Sequence, residues 1–121
     1  MDVVLSLHGR LATAVVLYMV LMGVWGIALG VRASGPTPSY FGALVIAEAT
    51  AVVQGLVGIP ILFSRSPANS LHLLYGVALA VALPMAATLV RGRPPRATAF
   101  AFGFMSLFAA GLAVRGITTA A

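Results

Sequence analysis

Four long apolar runs, very few charges and three breaker-rich connections predict an all-α integral membrane protein, an up-down-up-down four-helix transmembrane bundle. The chain of 121 residues is 61% hydrophobic and only 7% charged, with a mean hydropathy of +1.09. A soluble domain carries roughly a quarter charged residues. This chain has too little polarity to cover a water-facing surface, so the lipid bilayer is its expected solvent.

The apolar runs cover residues 11–31, 41–63, 71–90 and 97–114. Each approaches the ~20 residues that cross ~30 Å of hydrocarbon at 1.5 Å per residue. None alternates with period two, which argues against a barrel. Backbone polar groups in lipid must be paired within the segment, so the runs read as helices. The connections are short: Ala33-Ser34-Gly35-Pro36-Thr37-Pro38-Ser39, then Ser64-Arg65-Ser66-Pro67-Ala68-Asn69-Ser70, then Arg91-Gly92-Arg93-Pro94-Pro95-Arg96. Ser70 is a candidate N-cap for the third helix. Such connections imply antiparallel neighbours and one membrane domain over 1–121. The first run exceeds a signal-peptide core and precedes no evident cleavage pattern, so it reads as a span.

The net charge is +5, from seven arginines and no lysine against Asp2 and Glu48. The arginines sit at the ends of the runs, where cations meet headgroups, and this excludes nucleic acid as a partner. Arg10, Arg65 and Arg115 fall on one side; Arg32, Arg91, Arg93 and Arg96 fall on the other. The concentrated Arg91–Arg96 segment puts that side in the cytoplasm of a plasma or bacterial inner membrane, with both termini outward. The chain has no cysteine. That removes disulfides, thiolate metal sites and covalent haem attachment.

Small residues mark packing faces: Gly26 and Gly30 on the first helix, Gly55 and Gly58 on the second. Pro84 interrupts the third helix and leaves the Ala80 carbonyl without its usual donor, where a kink is expected.

His8 and His72 are the two histidines. Each opens an apolar run, on helices that run parallel and lie diagonally in a square bundle. Both imidazoles should then stand at one depth and face the centre. Two readings fit: interfacial residues in the headgroups, or the axial ligands of a haem iron in the bundle core. On the second reading Arg10, Arg65 and Arg115 supply forks for the propionates. Tyr75, one turn beyond His72, bonds a propionate or packs on the macrocycle. No third ligand of matching depth completes a small-metal site.

The segment Gln54-Gly55-Leu56-Val57-Gly58, followed by Leu71-His72-Leu73-Leu74, resembles haem A synthases over roughly Leu5 to Leu83. Those enzymes are built of two related four-helix halves, each a haem-binding bundle. The family motif is Glu-x-x-His-Arg on one helix, a Gln with a nearby Gly on the next and a second His opening the third. The resemblance implies that His8 and His72 are the axial pair, with Gln54 at the family Gln. Arg10 stands near the Arg position, displaced by Gly9. Leu5 occupies the position of the Glu tied to oxidation, the family's cysteine pair is missing, and one half is present. The resemblance therefore implies a haem-binding half-bundle, which a homodimer would double, and not a complete synthase.

Glu48 is the one acid inside a run. A charge at mid-helix costs ~2.5–3.5 kcal/mol on insertion scales, which makes it a functional candidate. At about 10 Å from the Phe41 end, it is expected in its neutral form, bonded to the Trp25 indole or the Ala80 carbonyl. The functional alternative is a proton carrier, or one end of a quinone site with Gln54.

Three functions follow. The first is a small b-type haem protein passing electrons, without independent enzymatic activity. The second is a cofactor-free accessory subunit of a larger respiratory or photosynthetic membrane complex. The third is a dimeric proton-coupled transporter using Glu48. No triad or phosphate loop points to soluble catalysis.

Overall fold

The computed structural model describes residues 2–64 and 70–119. It is all-helical, with no strand among the described residues: α1 Asp2–Val31, α2 Pro38–Ser64, α3 Ser70–Leu89 and α4 Pro95–Thr118. All four are long and apolar enough to cross a membrane. Their outward faces carry Leu17, Leu21, Val45, Phe63, Val77 and Phe104. A surface of this kind calls for an apolar solvent.

The helices begin and end for local reasons. Thr37 caps α2, its Oγ1 accepting the Tyr40 N–H at 3.1 Å, and Pro38 takes the first position, where no donor is lost. Pro95 does the same for α4 after Pro94. α1 stops in a Schellman turn. Ser34 N–H bonds the Leu29 carbonyl at 2.8 Å and Ala33 N–H bonds Gly30 at 3.0 Å. Ala33 takes the left-handed conformation, φ 58°, which a glycine normally fills. Arg96 completes this end from α4: its Nε donates to the Gly30 carbonyl at 2.9 Å. A cation at a helix C-terminus meets both an orphan carbonyl and the negative end of the dipole.

The expected bounds shift most in α1, which starts at Asp2 and not at Leu11. Val3, Val4, Leu5 and Leu7 sustain the helix, and Gly9 alone costs only about 1 kcal/mol. His8 therefore lies inside α1 and does not open it. Ser70 is the first helical residue of α3, so the N-cap position falls on residue 69, outside the described residues. α3 runs through Pro84, and α2 likewise contains Pro60, an internal proline not anticipated.

Contacts between helices give the topology. On α1 and α4, Gly23 faces Leu107, Gly26 faces Gly103 and Gly30 faces Phe100. One index rises as the other falls, so the pair is antiparallel. Tyr40 reaches Met22 and His8 reaches Gln54, which makes α1 and α2 antiparallel too. His72 meets Gly116 and Tyr75 meets Arg115, so α3 opposes α4. α1 and α3 are therefore parallel, and they share no close backbone approach. The α1–α4 seam is the closest and the α2–α3 seam the loosest.

Glycine explains the tight seam. A Cβ on Gly26 would sit 2.7 Å from the Gly103 Cα, and one on Gly103 would sit 2.7 Å from the Ile27 nitrogen. These are backbone atoms and cannot step aside. Gly26 and Gly30 thus pack as expected, joined by Gly23 and Gly103. Gly55 does not: a Cβ there meets nothing within 4 Å. Around the seam the core holds Val15, Met19, Met22, Tyr40, Leu44, Leu83 and Phe102. Phe41 and Phe102 cross between α2 and α4 edge to face, centroids 5.8 Å apart.

Candidate functional site

His8 and His72 meet across the bundle. Their ring centroids are 6.1 Å apart, with planes at 75°. α1 carries His8 six residues inside its start, α3 carries His72 in its first turn, and the two lie at one level because α1 extends further from the bundle than the apolar pattern implied.

Each ring is anchored through Nδ1 to a backbone carbonyl of a neighbouring helix. His8 Nδ1 lies 3.0 Å from the Gln54 carbonyl on α2. His72 Nδ1 lies 2.8 Å from the Gly116 carbonyl on α4. A carbonyl only accepts, so in both rings Nδ1 is the donor. Metal-binding histidines are commonly oriented by this bond, which fixes tautomer and ring direction. The Gly116 carbonyl lies in the last turn of α4, where helical carbonyls lack intrahelical amide donors, and it also accepts from the Thr119 hydroxyl at 3.3 Å.

Two further groups on α2 shape the His8 side. The Gln54 amide nitrogen stands 3.4 Å from Nδ1 and 3.5 Å from Nε2 of His8, long for a bond to either. Gly58, one turn on, lies directly against the ring: a Cβ there would come within 2.9 Å of His8 Cε1. Its role is to leave room for the imidazole, a function that its place one turn from Gln54 made findable.

Of the proposed propionate ligands, Arg115 contacts another candidate residue, Tyr75. Its guanidinium lies over the Tyr75 ring, 5.6 Å from the centroid, and it adjoins Gly116, the partner of His72. Tyr75 thus holds an arginine. Arg10 is exposed and sits two residues along α1 from His8, so it does not share that face. Arg65 lies outside the described residues.

Comparison with protein-family models, with curated proteins and with solved structures finds no match. Among the described residues, no group of three or more His, Cys, Asp or Glu is placed to hold a metal ion.

Glu48 stands apart. It is the eleventh residue of α2, about 15 Å from the start of the helix, deeper than its place in the apolar run implied. Trp25 lies only about 9 Å from the end of α1. Neither expected bond forms. Glu48 Oε1 is buried without a hydrogen-bond partner, and Trp25 packs edge to face on Tyr40, centroids 5.1 Å apart. Tyr40 in turn donates its hydroxyl to the Met22 carbonyl at 2.9 Å. Glu48 and Gln54 are six residues apart on α2, about 9 Å along its axis, and the Gln54 amide is turned to His8.

Proposed function

We propose that this chain is a small integral membrane protein that binds b-type haem between His8 and His72 and serves in electron transfer. The observation that carries the reading is the imidazole pair, 6.1 Å between centroids, each ring oriented by an Nδ1–H bond to a carbonyl. Two imidazoles sharing one ion, at metal–nitrogen distances of about 2 Å, would have centroids about 6 Å apart. The donor set fits as well: imidazole is a common ligand of haem iron.

In this reading His8 and His72 hold the iron, and Gln54 and Gly58 position His8. Arg115 neutralises a propionate, with Tyr75 supporting its guanidinium. Haem supplies a one-electron couple, while the surrounding helices set its potential through burial and hydrogen bonding. The resemblance to one half of haem A synthase agrees with this assignment. Leu5, standing where that family has its acid, argues for electron transfer over haem oxidation. The bilayer covers the outward apolar faces, and the arginine-rich 91–96 end faces the cytoplasm.

The test is haem content per chain. Protein purified from haem-replete cells should carry about one non-covalent haem per pair of axial histidines, extractable with acidified solvent. Protein that stays folded, colourless and unable to take up added haemin overturns the reading and leaves a cofactor-free accessory subunit in its place.

A further inference from the structure

The two arginines in the α3–α4 turn differ from Arg96 in having no side-chain partner among the described residues. Arg96 is committed to the Gly30 carbonyl and to the Phe100 ring, 5.7 Å from its centroid. Arg91 and Arg93 are exposed and make no ion pair among the described residues. The chain has two acids; Asp2 is at the opposite end of the bundle and Glu48 is midway along α2. The turn nevertheless holds its shape: Arg93 N–H bonds the Val90 carbonyl at 3.0 Å, and Gly92 takes φ 75°.

Arg93 borders an open groove between α3 and α4. One cavity of about 430 Å³ runs along Ala86, Leu89, Ala101 and Phe108. A second, of about 270 Å³, shares Leu89 and Ala101 and continues to Ala97 and Arg93. The first has an entirely apolar wall, and the second ends at a cation. From Ala97 to Phe108 the groove is about 16 Å long at 1.5 Å per residue. That is about half of a ~30 Å hydrocarbon core, the depth of one leaflet.

We propose that this groove is a binding site for an anionic phospholipid, with one acyl chain between α3 and α4 and its phosphate on Arg93. Length and charge both select the occupant. An apolar slot one leaflet deep, closed at the interface by an unpaired guanidinium, fits an amphiphile with a negative head. Arg91 adds a second positive charge at the same level and favours a net-negative headgroup over a zwitterionic one. The site rests on the bilayer placement proposed above and is independent of haem.

Purified full-length protein is first floated with vesicles; failure to float overturns the placement and the site together. Delipidated protein is then offered equal dioleoyl phosphatidylglycerol and dioleoyl phosphatidylcholine, and bound lipid is read by native mass spectrometry. Phosphatidylglycerol should be retained in preference. Its retention should fall about fivefold in Arg93→Gln, the effect of one interfacial cation, and similarly in Ala101→Trp, which fills the slot. Arg32→Gln, at the same end but outside the groove, should leave it unchanged. Equal retention of both lipids overturns the proposal. So does loss in Arg93→Gln without loss in Ala101→Trp, which marks a surface charge alone. A photoactivatable acyl chain on phosphatidylglycerol gives a reading on unmodified protein. It should label 86–89 of α3 and 97–108 of α4 above α1 and α2, and uniform labelling contradicts the site.

Discussion

An imidazole that donates from Nδ1 to a fixed carbonyl has its other nitrogen aimed by the fold. His8 and His72 are both held this way, by carbonyls from two different helices, so the fold fixes the direction of both rings. Gly58 is part of that setting. Gly58→Ala should displace the His8 ring, since the new Cβ would lie 2.9 Å from Cε1. Haem affinity should fall about tenfold, of the order seen when the groups that orient metal ligands are changed, while the fold persists. Haem titration of the variant beside wild type measures this, and unchanged affinity would remove Gly58 from the site. Glu48 invites a different substitution. Its buried Oε1 has no partner, and such a group costs about 1–3 kcal/mol. Glu48→Leu should raise the thermal midpoint in detergent; a fall would mean that the carboxyl makes a stabilising contact. Both histidines and Glu48 were evident from sequence as polar residues in apolar runs. Their partners were not, because a backbone carbonyl has no residue-type signature.

At the scale of the helix, close approach and termination decide stability. The α1–α4 seam depends on Gly26 and Gly103, where an added Cβ meets backbone. Gly26→Ala should destabilise by about 1–3 kcal/mol, the usual range for overpacking, and Gly55→Ala should be neutral or mildly stabilising, since nothing lies within reach of its Cβ. Thermal unfolding of the two variants side by side tests the contrast, and equal effects would contradict it. The end of α1 offers a gain. Ala33 is held at φ 58°, a conformation that costs an L-residue roughly 1–2 kcal/mol. Ala33→Gly should recover part of this, read as a higher midpoint. Glycine pairs such as Gly26 and Gly30 were legible from their four-residue spacing. Gly55 shares a similar spacing with Gly58 and yet packs against nothing, because spacing fixes the face of a helix and not which neighbour reaches it. The same limit applies to Trp25, whose partner is Tyr40 and not Glu48: the true start of α2 at Pro38 moved Glu48 deeper than the apolar run implied.

For the whole molecule, the order of seams relates the bundle to its proposed role. α1 and α4 lock together along glycine, α3 closes on α4, and the α2–α3 seam stays loose. The diagonal placement of α1 and α3 followed from three short connections, and it brings the two histidines together although they are 64 positions apart in sequence. The extent of α1 was less visible, because Asp2–Arg10 mixes charge with apolar residues and lies outside the hydropathy run while remaining helical. That extension carries His8 to the level of His72. The absorbance difference between reduced and oxidised protein tests the proposed ligation of haem by this pair. Wild type, His8→Ala and His72→Ala are compared after expression in haem-replete cells. The account predicts the sharp bands of a six-coordinate low-spin b-type haem in wild type and their loss in each variant, with a folded, helical protein throughout. Bands that survive both substitutions, or a folded wild type without bands, would contradict it.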